Sequence, residues 1–259
     1  PNSAPLVDAL GRNPLSLEYR SRRDILIAAL RTNCYDGDFF SYPLSSATTS
    51  ANSSQHCQVW AVLCGAVVGD EAQRLLRNSL ARTSAGQFVR ESVSMSFYTM
   101  RALSMAGGSL YDESFNQFWD PWREQLQQNV TTWVEDSVSQ RSDCHAWGCV
   151  PIYEFMVEVV GIRPRDPSWS AIDFQPRIGL FRDLKATIPI PKSGGSIKGL
   201  IHVSWCTNIA GDKEVQMKVE LPGPSTMAVV VSLPDVKTTQ EASKELCFVV
   251  QEASLVRYK

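Results

Sequence analysis

Arg163-Pro164-Arg165-Asp166-Pro167 divides this chain, because the hydrophobic pattern changes period across it. Upstream, apolar residues recur every three or four positions, which is the spacing of one helix face; downstream they alternate, as in strands with one buried side. Reading back from Arg163, the pattern predicts a helix over Ser142 to Val160, kinked at Pro151 and closed by Gly161. Before it come Asp112 to Gln127, interrupted by Pro121, and Ser92 to Met105, closed by Gly107-Gly108. Glu71 to Thr83 sets Leu75, Leu76 and Leu80 at helical spacing, and Ser54 to Val68 ends in a nearly all-apolar half. Leu17 to Asn33, with Ile25, Leu26, Ala29 and Leu30, completes six helices. Pro1 to Pro14, rich in Pro, Asn and Ser, reads as a connector.

Reading forward, strands are expected at Ala186 to Pro189, Gly195 to Ser204, Val215 to Leu221, Thr226 to Leu233 and Leu246 to Gln251. Val215, Met217, Val219 and Leu221 alternate with Gln216, Lys218 and Glu220, the pattern of a half-buried antiparallel strand. Several strands at this spacing predict a β-sandwich. The fold class is therefore helices first and then an antiparallel sandwich, with domains at 1–165 and 166–259. The connectors alternate: turns such as Gly69-Asp70 are short, whereas Asp36 to Ser53 and Asn129 to Arg141 are long. That alternation suggests helical hairpins with functional loops on one rim.

Composition narrows the function. The 259 residues carry 25 Lys plus Arg against 27 Asp plus Glu, a net charge of −2, without the basic excess of a nucleic-acid groove. The longest apolar stretches, such as Trp60 to Val68, fall well short of the roughly 20 residues of a membrane span. Neither nucleic acid nor a membrane is expected as a partner. The seven cysteines show no CxxC spacing and no metal-site pattern. Cys57 and Cys64 lie about 10 Å apart along one helix, too far for a disulfide, so free, buried thiols are expected. The sequons at Asn52 and Asn129 would favour secretion if glycosylated, and such tripeptides also arise by chance. The chain starts at Pro1 without a charged-then-apolar leader, as expected of a piece of a longer product.

Chemistry concentrates in Thr131 to Glu154, TTWVEDSVSQRSDCHAWGCVPIYE. It holds Glu135 and Asp136, His145, Trp133 and Trp147, and Arg141 with Asp143. Glycosidic hydrolysis needs carboxylates for acid and base work, with aromatic faces and polar groups to hold a sugar. Plainer roles exist for each. Asp143, beside a capping Ser142, suits the first turn of a helix; His145 can be structural, and the tryptophans can be core. Glu135 beside Trp133 and Val134 sits in a partly apolar setting that can tune a carboxylate. A second cluster, Ser54-Gln55-His56-Cys57-Gln58-Val59-Trp60, opens a helix after the first long loop, and Gln55, His56 and Trp60 can face one cavity rim. Alternatively Ser54 caps and Trp60 packs. No Ser-His-Asp spacing, P-loop, Gly-rich dinucleotide turn or HExxH occurs.

Arg141-Ser142-Asp143-Cys144-His145-Ala146-Trp147, preceded by Thr131-Thr132-Trp133 and an acidic residue, resembles a block in the α-L-rhamnosidases of glycoside hydrolase family 78. SQHCQVWAVLCGAV and ESVSMSFYTMRALSMAG are similar to helices of that family's catalytic domain. Ile172 to Pro176, GSIKGLIHVSW and VELPGPSTMAVVVSLP resemble its C-terminal β-sandwich. The resemblance spans roughly Leu15 to Val236. It implies half of an α/α barrel of six helical hairpins followed by the sandwich, and an inverting enzyme that releases terminal α-L-rhamnose from rhamnose-containing glycosides. On that basis Glu135 matches the general base, with Asp136 as rival because Val134 intervenes after Trp133. His145 matches a sugar-contacting histidine, and Trp133, Trp147, Asp143, His56 and Trp60 are candidate substrate-binding residues. The general acid belongs to a block that this chain lacks, and no metal or cofactor is implied. The missing half of the barrel, or a second copy, is the expected partner of the apolar face. The alternatives are a non-catalytic carbohydrate- or protein-binding remnant, and a related α/α-barrel glycosidase with another sugar.

Overall fold

A computed structural model describes residues 3–41, 54–135, 142–192, 195–207, 214–223, 227–233, 236–240 and 245–251. The chain forms two compact units, Pro1–Gly148 and Cys149–Lys259.

The first unit is helical. Its elements are α1 (Ser3–Ala9), α2 (Asn13–Cys34), α3 (Gln55–Leu63), α4 (Gly69–Ser84), α5 (Ser96–Ala106), α6 (Leu110–Phe118) and α7 (Asp120–Gln127). Ser54 caps α3 by accepting from the Cys57 N–H. The helix ends near Leu63 rather than at Val68, because Gly65 turns left-handed at φ 80° and Cys64 and Ala66 close back onto Trp60 and Ala61. α4 begins with Asp70 and Glu71 where its dipole favours acids, and it buries Ala72, Leu75 and Leu76. The break expected at Pro121 separates α6 from α7, since proline suits the first turn of a new helix. α3 packs on α4 and α5, and α5 on α6.

Two expectations for this unit need correction. Residues 3–9 are not a plain connector but the helix α1, held to α2 by the Ser16 hydroxyl donating to the Ala4 carbonyl at 3.2 Å. The α2 residues read as one apolar face are largely in solvent: Ile25 is 65%, Leu26 62% and Leu30 39% exposed. α2 is instead tied to α4 through Arg31, which donates to the Ala66 carbonyl at 2.7 Å and forks onto Glu71 at 3.0 and 3.1 Å.

A 3₁₀ turn at Ala146–Cys149 closes the first unit and leads into α8 (Val150–Tyr153) of the second, then a π-helical stretch, Glu154–Val159. The single long helix expected over Ser142 to Val160 does not form. The backbone of residues 142–145 is engaged elsewhere, as described below, and regular helix starts only at Val150, with Pro151 in its first turn. Two four-stranded sheets follow. One runs β1 (Ile162–Pro164), β2 (Ala171–Phe174), β6 (Ala228–Leu233), β7 (Val236–Gln240). The other runs β3 (Leu184–Pro191), β4 (Ile197–Thr207), β5 (Glu214–Glu220), β8 (Glu245–Gln251). Pairings are antiparallel except β2 with β6, which run parallel. β1, β2 and β7 were not anticipated from sequence; the first two are three and four residues long, too short for alternation to register.

The alternation read in β5 puts Val215, Met217 and Val219 into a core shared with Ile172, Phe174, Ile190, Ile201, Val229 and Val231. Each such side chain contributes about 1.5–3 kcal/mol relative to exposure. The cysteines are free as expected, yet Cys144, Cys149, Cys206 and Cys247 are exposed and Cys34, Cys57 and Cys64 only partly buried, which corrects the expectation of buried thiols. Gly161 ends the π-helical stretch at φ 75°, and a Cβ there would lie 2.1 Å from the Gln175 carbonyl oxygen. Only glycine fits.

One buried charge organises the entry into the sandwich. Glu158, whose side chain is 1% exposed, receives Arg163 at 2.7 Å and Arg177 at 3.0 Å, one on each carboxylate oxygen. A buried carboxylate persists only when so paired, and removing it leaves two partly buried guanidinium groups unmatched. Glu158→Ala is therefore expected to lower unfolding stability by about 3 kcal/mol in urea titration of the whole chain. A change within the error of extrapolation would show that the clamp does not hold this region.

Candidate active site

The site segment is built by a chain that leaves α7 and doubles back on itself. The Glu135 N–H donates to the Ser142 carbonyl at 2.9 Å, and the His145 N–H to the Trp133 carbonyl at 2.8 Å. The Thr132 hydroxyl adds a bond to the Asp143 carbonyl. These contacts bring residues 132–135 alongside 142–145 and explain why no helix begins at Ser142. They also correct the role given to Ser142 and Asp143: Ser142 donates to the Cys144 carbonyl at 3.4 Å, and Asp143 is exposed ahead of the 3₁₀ turn. Asp136 and Arg141 lie outside the described residues.

Three anchors fix this strip to the helical unit. Gln125 of α7 accepts from the Val134 N–H at 3.0 Å. Trp122, one turn earlier, donates from its indole nitrogen to the Gly148 carbonyl at 2.8 Å. Gly148 lies so close to Trp133 that a Cβ would stand 2.3 Å from the Trp133 Cβ. Val134 is thereby buried, while the residues on either side of it, Trp133 and Glu135, are half-buried.

The side chains that result form one group. Glu135 Oε2 stands 3.8 Å from His145 Nδ1, and their side chains are 22% and 28% exposed. The His145 ring stacks on Trp147 with centroids 4.0 Å apart and planes 26° from parallel, and Trp147 remains 46% exposed. Carboxylate, imidazole and an open indole face thus share one short stretch of surface. A carboxylate so placed can take a proton from water, and a flat aromatic surface beside polar groups suits a sugar ring. Among the described residues no cluster of His, Cys, Asp and Glu has the makings of a metal site.

His56 and Trp60 of α3 have other neighbours. Trp60 is 45% exposed and packs its ring on Tyr98 of α5, with centroids 4.8 Å apart. Tyr98 escaped the sequence reading, although a second aromatic one helix away, at matching height, was the signal available. The His56 Nε2 is buried with no hydrogen-bond partner among the described residues, and burial pushes the imidazole's pKa down. Gln58, also on α3, is fully satisfied: it accepts from the Phe40 N–H at 2.8 Å and donates to the Phe40 carbonyl at 2.7 Å, pinning the chain after α2.

Residues 161–245 match the model of the bacterial alpha-L-rhamnosidase C-terminal domain. The matched residues run from β1 to the first residue of β8. No curated protein sequence matches the chain. Among solved structures, the fold is similar to a GH78 family rhamnosidase of Bacillus sp. GL1, with TM-score 0.71 and 23% identity over 88% of this chain and 24% of that one. It is also similar to the alpha-L-rhamnosidase from Dictyoglumus thermophilum, with TM-score 0.66 and 18% identity over 87% of this chain and 25% of that one. For the Streptomyces avermitilis alpha-L-rhamnosidase complexed with L-rhamnose the values are TM-score 0.61 and 14% over 96% and 24%. The chain spans about a quarter of the length of these enzymes. The chain thus has a fold similar to the C-terminal part of these rhamnosidases.

Gly148→Ala tests the anchoring of the strip. The added methyl overlaps Trp133 and is expected to cost about 1–3 kcal/mol in thermal unfolding, with a change in the near-ultraviolet circular dichroism of the tryptophans. Unchanged stability and an unchanged spectrum would disprove the close packing of these two residues.

Proposed function

We propose that this chain supplies the general-base side of an inverting α-L-rhamnosidase, with Glu135 as the base. The observation that carries the reading is the grouping of Glu135, His145 and Trp147 on one strip, in a chain folded like the C-terminal part of rhamnosidases. In a single displacement, water attacks the anomeric carbon of the rhamnosyl unit from the face opposite the leaving group. Its proton passes to the Glu135 carboxylate as the glycosidic C–O bond breaks. The leaving oxygen takes a proton from an acid outside this chain, about 6.5–9.5 Å from the base, which leaves room for the water. His145 beside the carboxylate orients it and meets a sugar hydroxyl, and Trp147 offers its face to the ring. Trp133 serves by packing under the strip against Gly148, and Asp143, His56 and Trp60 are assigned to the wider rim. The substrates are glycosides with terminal α-L-rhamnose. The exposed apolar side of α2 is the surface that the remainder of the barrel covers.

The chain alone holds no general acid in this scheme, so rhamnose release from an aryl rhamnoside by the 259 residues is expected to stay at background; robust turnover would refute the division of roles. In a protein that carries the remainder of the barrel, Glu135→Ala is expected to cut turnover by at least about a hundredfold. Added azide should restore consumption and give the rhamnosyl azide of inverted configuration. Asp136→Asn is expected to leave most activity. If Asp136→Asn abolishes turnover and Glu135→Ala does not, Glu135 is not the base.

A further inference from the structure

Gln125 of α7 holds both ends of the segment that carries the chain from that helix to the Glu135 strip. Its main-chain carbonyl accepts from the Val130 N–H at 3.1 Å, where α7 ends. Its side-chain oxygen accepts from the Val134 N–H at 3.0 Å, four residues further on. The nitrogen of the same amide donates to the Pro121 carbonyl at 3.1 Å, one turn back along α7. The side chain is 2% exposed and is therefore fixed at both of its polar atoms. An uncharged group that accepts at one atom and donates at the next is what this position requires.

The backbone of residues 133–135 shows what this double hold controls. The Trp133 carbonyl and the Glu135 N–H both bond to residues 142–145, whereas the Val134 N–H between them bonds to the Gln125 amide. The side chains alternate too: Val134 is buried, and Trp133 and Glu135 on either side of it are half-buried. With a period of two, a slip of one residue along the 142–145 partner would exchange these places, burying Glu135 and exposing Val134. Backbone bonds alone resist such a slip poorly, because every residue offers the same groups. Gln125 supplies a reference point outside the pairing, and the 3.8 Å separation of the Glu135 carboxylate from His145 Nδ1 depends on it.

We propose that Gln125 is a positioning residue for Glu135, setting the register of the strip and so placing the carboxylate beside His145. Its kinetic consequence rests on the reading of Glu135 as the base; its effect on the strip does not. Gln125→Met keeps the length of the side chain and removes both hydrogen bonds. In the 259-residue chain it is expected to speed amide hydrogen exchange at Val134, Glu135 and His145 by at least about tenfold. Gln125→Glu should restore protection, because burial keeps the carboxyl neutral and able to accept from Val134 and donate to Pro121. In a protein that carries the remainder of the barrel, Gln125→Met is expected to lower kcat at least about tenfold with KM nearly unchanged, and Gln125→Glu to recover most of it.

A double substitution separates positioning from general support of the fold. In a Glu135→Ala background assayed with azide, adding Gln125→Met should cost nothing further, since no carboxylate is left to place. An equal loss in both backgrounds would make Gln125 a purely structural residue and overturn the proposal, as would unchanged exchange at Val134 and Glu135. If Glu135→Ala keeps full activity, the base assignment is what fails, and hydrogen exchange still decides whether Gln125 sets the register. Should Gln125→Met fail to fold, Gln125→Asn, one methylene too short to reach both partners, takes its place.

Discussion

The candidate site depends on a chain reversal in which residues 132–135 are hydrogen-bonded along residues 142–145. Without the bonds from Glu135 to Ser142 and from His145 to Trp133, carboxylate and imidazole would lie ten residues apart on independent segments. The reversal holds them within 4 Å. It is stabilised from beneath by Gln125 and Trp122 of α7, which bond the backbone at Val134 and Gly148. Such placement of reacting groups by a supporting layer on rigid elements is what keeps a site in productive geometry. The cost is a lost helix start: the Ser142 and Asp143 carbonyls and the His145 N–H are taken up by the pairing, and the chain recovers through a 3₁₀ turn, one turn of α-helix and a π-helical stretch.

The same economy explains what the sequence disclosed and what it withheld. β5 could be read directly, because a strand with one face in a core must alternate, and Val215, Met217 and Val219 do so without exception. α4 was equally plain, with its leucines on one face. The helix boundaries near Leu63 and Ser96 were less so, since the apolar run from Trp60 to Val68 continues past the turn that Gly65 makes. β1 and β2 were invisible because a short strand is fixed by its neighbours, not by its own pattern. In the site, Glu135, His145 and Trp147 were legible as residue types that hydrolysis uses within one stretch. The roles of Gln125, Trp122 and Gly148 were not, since they act through backbone contacts that only the folded chain creates.

The two units solve the problem of buried polarity differently. In the second unit the buried Glu158 meets two arginines, one on each carboxylate oxygen. The helical unit matches Gln58 to the backbone at Phe40 and, three residues earlier on the same helix, leaves the Gln55 amide buried without a hydrogen-bond partner among the described residues.

The parallel pairing of β2 with β6 bears on how the sandwich reaches its native state. Ala171 aligns with Ala228, and β3, β4 and β5 lie between the two strands along the chain. Hairpins such as β3–β4 and β4–β5 close over short distances and form early, whereas this contact carries a large loop-closure entropy and arrives late. Until then β6, with the sequence Ala-Val-Val-Val-Ser-Leu, presents an unpaired, uncharged, strongly β-forming edge. During synthesis and refolding that strand is open to intermolecular pairing until β2 docks on one side and β7 on the other.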